Sequence, residues 1–121
     1  QINFSLEVEG KLDHLNEAMN MTVFRVVQEA ITNAVRHAEA SSMTVRVANE
    51  QGESGPEQLT IEIRDNGKGM EIHDFHSDVD FGLLGMRERA QSLGGKFILE
   101  SRPGNGVRIY ITIPLGADKT V

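Results

Sequence analysis

The stretch VFRVVQEAITNAVRHA, residues 23–38, has its apolar residues at the three- and four-residue steps of an amphipathic helix. Those positions are Val23, Val27, Ala30, Ile31, Ala34 and Ala38. A polar row follows the same helix, with Glu29, Asn33 and His37 at four-residue spacing and Arg36 beside them. Because four residues make slightly more than one helical turn, these side chains share one face. The row predicts either a solvated face or a site for a polyanion and its metal ion.

The composition excludes several classes of protein. At 121 residues the chain is expected to form a single domain with a core of its own. It has no cysteine, which excludes disulfides, a thiol nucleophile and a cysteine-based zinc site. The formal net charge of −6 argues against a nucleic-acid surface. No apolar run approaches the roughly 20 residues that span a bilayer, so no membrane contact is expected.

Five short segments alternate apolar and polar residues, as strands with one covered face do. They are residues 2–9, 43–48, 59–64, 97–101 and 107–114. A second helix is predicted from about residue 83 to 93, and Gly94 and Gly95 end it. None of the strands is a continuous apolar run, so one face of the sheet should be packed by helices and the other largely wet. The fold class is therefore α/β: a two-layer sandwich with a mixed, largely antiparallel sheet and helices on one face.

Two glycine-rich motifs flank a polar segment. DNGKG, residues 65–69, follows the third strand and suits a turn, or a carboxylate that accepts an exocyclic amino group such as that of adenine. FGLLGM, residues 81–86, precedes the second helix and suits either tight packing or a phosphate on helix N–H groups. Residues 71–80 read as a mobile acidic loop. The alternative there is a metal site built from His73, Asp74, His76, Asp78 and Asp80, which the absence of a helical period disfavours.

The order of these motifs resembles the ATP-binding domain of bacterial sensor histidine kinases. This domain belongs to a larger group that includes DNA gyrase B, MutL and the heat-shock ATPase chaperones. The helix motif is similar to the N box of that group, and the two glycine motifs are similar to its glycine boxes. QEAITNAVRHAEAS and FGLLGMRERAQSLGG resemble the nitrate/nitrite-sensor and degradation-sensor kinases. The resemblance covers residues 4–114 and implies the Bergerat ATP-binding fold.

The resemblance implies roles for residues on both sides of the ligand. Asn33 is expected to bind Mg²⁺ and Asp65 to receive the adenine amino group. Glu29 is expected to be catalytic with Asn33, either polarising a water or orienting a metal-bound one. Further nucleotide contacts are expected from Arg36, His37, Gly67, Gly69, Met70, Gly82, Leu83, Leu84, Gly85 and Met86. Ile63, Met70 and Leu84 are candidates for the apolar walls, and residues 71–80 would be an ATP lid hinged at Gly82 and Gly85.

The resemblance also implies a function and partners. The domain would bind Mg·ATP and donate the γ-phosphoryl group to a histidine on an upstream domain, which then passes it to a response regulator. No HDxxxQ segment occurs, so the chain is expected to be a C-terminal fragment, residues 1–121 forming one catalytic domain incomplete for autophosphorylation. The fragment would be a monomer and the intact kinase a homodimer through the missing helices. The domain would be cytoplasmic, with a parent that could be anchored in the inner membrane.

Two alternatives and one departure accompany this interpretation. The alternatives are a gyrase- or MutL-type ATPase and a serine-kinase anti-sigma factor acting as a nucleotide-binding module. The departure is at Val107, where the family commonly has a threonine after GxG that assists the adenine-binding aspartate. Valine cannot donate a hydrogen bond. Asp65 is therefore expected to rely on water or on another hydroxyl, such as that of Thr112.

Overall fold

The computed structural model describes residues 2–12, 15–36, 40–52, 57–68 and 78–115, without the side chains of residues 36 and 78–81. In these ranges the elements are β1 (Asn3–Glu9), α1 (Glu17–Arg36), β2 (Ser42–Gln51), β3 (Glu57–Asp65), α2 (Asp78–Ser92), β4 (Lys96–Ser101) and β5 (Val107–Pro114). The strands form one sheet in the order β1-β2-β3-β5-β4. Only the β1–β2 pair is parallel in this sheet of described strands. The predicted two-layer sandwich with a mixed, largely antiparallel sheet is confirmed.

Helix α1 starts at a side-chain cap. The Oδ1 of Asn16 accepts a hydrogen bond from the backbone N–H of Met19 at 2.8 Å, which satisfies one of the free donors of the first turn. The buried side of the helix carries Met19, Thr22, Val26, Ala30 and Ala34. Val26 is completely buried, whereas Ile31, expected on the apolar face, is 36% exposed. The buried face is therefore rotated by about one position from the face expected from the sequence.

Helix α2 begins at Asp78, about five residues before the start expected from the sequence. Residues 78–80 of the predicted lid are thus helical, and its residues 71–77 lie outside the described ranges. The predicted stop is confirmed. Gly94 adopts a φ of 76°, and the N–H groups of Gly94 and Gly95 donate to the carbonyls of Gln91 and Ala90 at 3.0 and 2.8 Å. This pattern is a Schellman cap, which glycine favours because it lacks a Cβ.

The core lies between the two helices and one face of the sheet. It contains alternate residues of the three central strands, among them Val45, Ile61 and Ile111, packed with Met86 and Ala90 of α2. The alternation in β2, β3 and β5 therefore places their apolar residues on the helix-covered face, as expected. Neither helix of the described ranges is long and apolar enough to cross a membrane.

The other face of the sheet carries cross-strand ion pairs. Arg46 on β2 donates through Nε to Glu9 on β1 at 2.9 Å and through Nη2 to Glu50 at 2.5 Å. Arg108 on β5 contacts Glu62 on β3 at 3.0 Å and Glu100 on β4 at 2.5 Å. The hydrogen bond from Arg46 lowers the pKa of Glu50, and the bonds to Glu9 and Glu50 raise the pKa of Arg46. The prediction of a polar second face is confirmed.

Strand β1 differs from the expected half-buried strand, because all seven of its residues are exposed. Phe4, Leu6 and Val8 are 51%, 68% and 56% exposed. Their register places them beside Met43, Val45 and Val47 on the helix-covered face. The physical reason is lateral position: α1 packs over β3 and against α2, and β1 is the outermost strand on the far side of β2. The alternation in β1 therefore predicted correctly which face carries the apolar side chains, but not that these side chains are exposed.

Candidate functional site

The polar row of α1 has two side chains that the structure describes, those of Glu29 and Asn33. Glu29 and Asn33 are both half-buried, and neither side chain has a hydrogen-bond partner among the described residues. Glu29 faces Gly82 of α2: a Cβ added to Gly82 would lie 2.7 Å from Oε2 of Glu29. The structure therefore brings together residues from two of the sequence motifs. Half-buried oxygens without protein partners are suited to a ligand, because leaving such groups unpaired costs free energy.

The second glycine motif lies inside α2 and not at its N-terminus. Gly82 and Gly85 are the fifth and eighth residues of the helix, so the expectation that this motif precedes the helix is wrong, and the N–H groups that follow Gly82 lie within the helix. Leu83 and Met86 are 3% and 0% exposed and belong to the core, which leaves their side chains no surface for a ligand. Leu84 is 37% exposed and is the apolar side chain that reaches solvent among the described side chains of this motif.

The first glycine motif follows β3. Asp65 is the last residue of the strand and is half-buried, on the same face as the core residue Ile63. The backbone N–H of Gly67 donates to Oδ1 of Asp65 at 2.9 Å, a local turn that orients the carboxylate. No described residue donates a hydrogen bond to Oδ2, so Oδ2 has its full acceptor capacity for a ligand. Gly67 itself is buried, so the backbone passes close beneath the carboxylate.

The hairpin between β4 and β5 supports Asp65 from the other side. Val107 pairs with Asp65 in the β3–β5 ladder, so the residue at the position of the family threonine is a direct neighbour. Gly106 has a φ of 75°, and a Cβ there would collide with the carbonyl oxygen of Asp65. The hydroxyl of Ser101 donates to the carbonyl of Gly106 at 2.7 Å. Sequence reasoning missed Gly106 and Ser101, although the Gly-x-Gly spacing was a signal for a special backbone.

The expectation that Thr112 replaces the missing hydroxyl is wrong. Thr112 pairs with Thr60, five register positions from the Val107–Asp65 pair, and lies on the opposite face of the sheet. Because side chains alternate between faces along a strand, an even-numbered residue of β5 cannot reach Asp65. Ser101 is the hydroxyl whose register places it on the same face, beside Val107.

Asn66 forms a cluster of hydrogen bonds with the start of β2. Its Oδ1 accepts from the backbone N–H groups of Ser41 and Ser42, both at 2.9 Å. Its Nδ2 donates to the hydroxyl of Ser41 at 2.9 Å, and its own N–H donates to the carbonyl of Ser42 at 3.3 Å. Sequence reasoning treated Asn66 as turn chemistry only, because its partners are more than twenty residues away in the chain.

A cleft of about 660 Å³ opens at this end of the sheet, and Asp65, Gly106 and Val107 are among the described residues that line it. Glu29 and Asn33 do not belong to this lining, and no hydrogen bond between described residues joins them to Asp65. The side chain of Arg36, and His37, Gly69 and Met70, lie outside what the structure describes. The alternative metal cluster of the acidic loop lies outside it as well. The described residues contain no group of three His, Cys, Asp or Glu side chains that could hold a metal.

Residues 19–117 match the model of the family described as histidine kinase-, DNA gyrase B-, and HSP90-like ATPase. The chain belongs to this family. It is 34% identical over 110 residues to the signal transduction histidine-protein kinase/phosphatase DegS of Brevibacillus brevis, covering 91% of this chain and 27% of that protein. It is 38% identical over 110 residues to the sensor protein VraS of Staphylococcus haemolyticus, covering 91% and 28%. The chain thus spans less than a third of the curated relatives it matches.

Solved structures share the fold of this ATPase-family domain. The histidine kinase domain of the blue-light activated kinase EL346 from Erythrobacter litoralis aligns with a TM-score of 0.68 at 22% identity, covering 97% of this chain and 57% of that chain. A longer structure of EL346 aligns with a TM-score of 0.71 at 24% identity, covering 100% and 38%. The resemblance to sensor histidine kinases is confirmed, and the nitrate/nitrite-sensor branch stays a prediction.

Proposed function

We propose that this domain binds Mg·ATP and, within a longer sensor kinase, donates the γ-phosphoryl group to a histidine on an upstream domain. Family membership supports ATP as the ligand, and relatives such as DegS and VraS are named as a histidine kinase and a sensor protein. The observation that carries the proposal is the pair Glu29 and Asn33. Both residues are half-buried and have no hydrogen-bond partner among the described residues, and Glu29 faces Gly82 of α2.

Asp65 would bind the adenine. Its Oδ1 already accepts the N–H of Gly67, so Oδ2 is the oxygen proposed to accept the amino group of the base. A carboxylate is suited to this task because it only accepts hydrogen bonds, which favours a base that presents a donor at this position. Val107 and Leu84 would supply apolar surface for the flat ring, while Gly67 and Gly69 would keep the backbone close to it.

Asn33 would hold the metal ion, and Glu29 lies one turn away on the same face. Both offer oxygen atoms, the donors that Mg²⁺ prefers, so the residues present fit this ion. When bound, Mg²⁺ would neutralise phosphate charge, which is most of what phosphoryl transfer requires of its site. Glu29 would orient a water at the metal in a kinase, or polarise a water in a hydrolase. The contact with Gly82 restricts where its carboxylate can go.

The remaining nucleotide contacts are proposed from α2 and from the end of α1. Arg36 and His37 would bind phosphate oxygens, and residues 71–77 would form the lid. Gly82 and Gly85 would act as close-approach positions within a helix. Leu83 and Met86 would contribute to the site only indirectly, because their side chains belong to the core.

The domain itself tests the ligand assignments. We expect isothermal titration to give Mg²⁺-dependent ATP binding that Asn33→Ala removes and Gln28→Ala preserves. Gln28 is the matched control because it is an exposed amide on the same helix. Asp65→Asn should weaken ATP binding about tenfold or more, as expected for a charge-assisted hydrogen bond, and Glu57→Gln on the same strand should not. Full Mg²⁺ dependence in Asn33→Ala would exclude the metal assignment.

The longer parent tests the reaction. A histidine kinase incubated with γ-labelled ATP acquires an acid-labile, base-stable label on a histidine and then transfers it to a response-regulator aspartate. Steady ATP hydrolysis without a labelled histidine would instead favour the gyrase-type ATPase. The proposed parent is a homodimer through its upstream helices, with this domain on the cytoplasmic side of the membrane.

A further inference from the structure

We propose that Asn66 is a positioning residue for adenine recognition: its side chain fixes the end of β3 so that Asp65 presents Oδ2 to the base. This inference rests on the proposed role of Asp65. Asn66 itself points away from that carboxylate, because its Oδ1 and Nδ2 are hydrogen-bonded to Ser41 and Ser42 at the N-terminal end of β2.

The amide of Asn66 continues the sheet where the main chain leaves it. The β2–β3 ladder ends at the pair Met43–Asp65, so the N–H groups of Ser41 and Ser42 have no opposing strand carbonyl. Oδ1 of Asn66 takes the place of that carbonyl and accepts both at 2.9 Å. Asp65 is therefore held by ladder contacts on its N-terminal side and by this amide on its C-terminal side. Without the second anchor a terminal strand residue frays.

The same amide joins the end of β3 to the start of β2. Ser42 is the first residue of β2, and Ser41 precedes it. Asn66 bonds to these two residues through three side-chain hydrogen bonds and one backbone hydrogen bond.

The β4–β5 hairpin also holds the turn that follows Asp65. The N–H of Gly104 donates to the carbonyl of Lys68, two residues after Asn66. A Cβ on Gly106 would lie 3.2 Å from the Cα of Asn66. The turn at residues 66–68 is thus held by β2 on one side and by the β4–β5 hairpin on the other. An exposed asparagine with every amide group engaged in this way has a fixed orientation and can fix its neighbours.

The test compares two nucleotides on the 121-residue chain. ATP carries the 6-amino group and purine riboside triphosphate lacks it, so the ratio of their dissociation constants reports the amino contact alone. Asn66→Ala should reduce the wild-type preference for ATP about three- to tenfold. Asn66→Asp should restore most of it, because a carboxylate still accepts both backbone N–H groups and the Ser41 hydroxyl can turn to donate. Asn3→Ala is the matched control, an exposed asparagine on β1 without a side-chain bond among the described residues.

The outcomes separate this inference from the function on which it rests. If wild type and Asp65→Asn bind the two nucleotides with the same ratio, the adenine role of Asp65 fails. If Asp65→Asn loses the preference but folded Asn66→Ala keeps it, the positioning role alone is overturned. Equal weakening of both nucleotides in Asn66→Ala would also overturn it, since a merely structural role acts on both. When Asn66→Ala is added to Asp65→Asn, the ratio of the two dissociation constants should stay as it is in Asp65→Asn alone.

Discussion

Gly106 and Gly104 form a natural matched pair in the β4–β5 hairpin, because both have left-handed backbones and only one is crowded. Their φ angles are 75° and 86°. A Cβ on Gly104 would have no heavy atom within 4 Å, whereas one on Gly106 would collide with the carbonyl oxygen of Asp65. Alanine at either position pays the left-handed penalty of about 1–2 kcal/mol. At Gly106 the strand must also shift, which typically costs a further ~1–3 kcal/mol.

We therefore expect Gly106→Ala to lower the free energy of unfolding about 1–3 kcal/mol more than Gly104→Ala does. Urea denaturation of both variants measures this difference, and the midpoint should move without a change in slope. ATP affinity should fall in Gly106→Ala alone, because the displaced carbonyl belongs to Asp65. Equal losses of stability in the two variants would refute the close approach on which the reasoning depends.

Three further expectations follow from contacts on α2, on the polar face of the sheet and at the end of β3. Gly82→Ala should impair ATP binding, because its Cβ would displace the Glu29 carboxylate. In Gly85→Ala the Cβ would meet only the flexible end of Arg89, so thermal unfolding should show a gain of up to about 1 kcal/mol in stability. Stability should fall as the pH drops below 4.5, the ordinary pKa of Glu50, because the unfolded chain then binds a proton that folded Glu50, with its lowered pKa, does not. Glu50→Gln should reduce that slope in denaturation at pH 3–7, and an unchanged slope would contradict the pair with Arg46. Val107→Thr should raise ATP affinity in calorimetry, and no gain would mean that its hydroxyl does not reach Asp65.

The regular elements of the sheet were predictable because each strand carries its own pattern. Alternation in β2, β3 and β5 marks the covered face, and the glycine pair at Gly94 and Gly95 marks the end of α2 from local chemistry. These signals act within a few residues of the chain. They can therefore be recognised in the sequence without knowing which elements pack against each strand or helix.

The differences arise where the outcome depends on distant neighbours. Alternation in β1 is as regular as in β2. Whether its apolar side chains are buried depends on whether a helix packs above the strand, and no local sequence pattern encodes that. The prediction missed only the first five residues of α2, which lie in a polar stretch and end at Gly82, a residue of low helix propensity. Asn66 acts through Ser41 and Ser42, and Gly106 lies against the carbonyl of Asp65, so the local sequence could not identify the partners of either residue.

Strand β1 is attached to the sheet less stably than the central strands are attached to one another. The strand is held by its main-chain ladder with β2 and by the pair between Glu9 and Arg46, while it buries none of its side chains. If it detached, Met43 and its neighbours on β2 would keep their core contacts. Hydrophobic burial therefore contributes little to keeping β1 in place. Amide hydrogens of β1 should exchange through a local opening, long before the cooperative unfolding that releases those of β3 and β5.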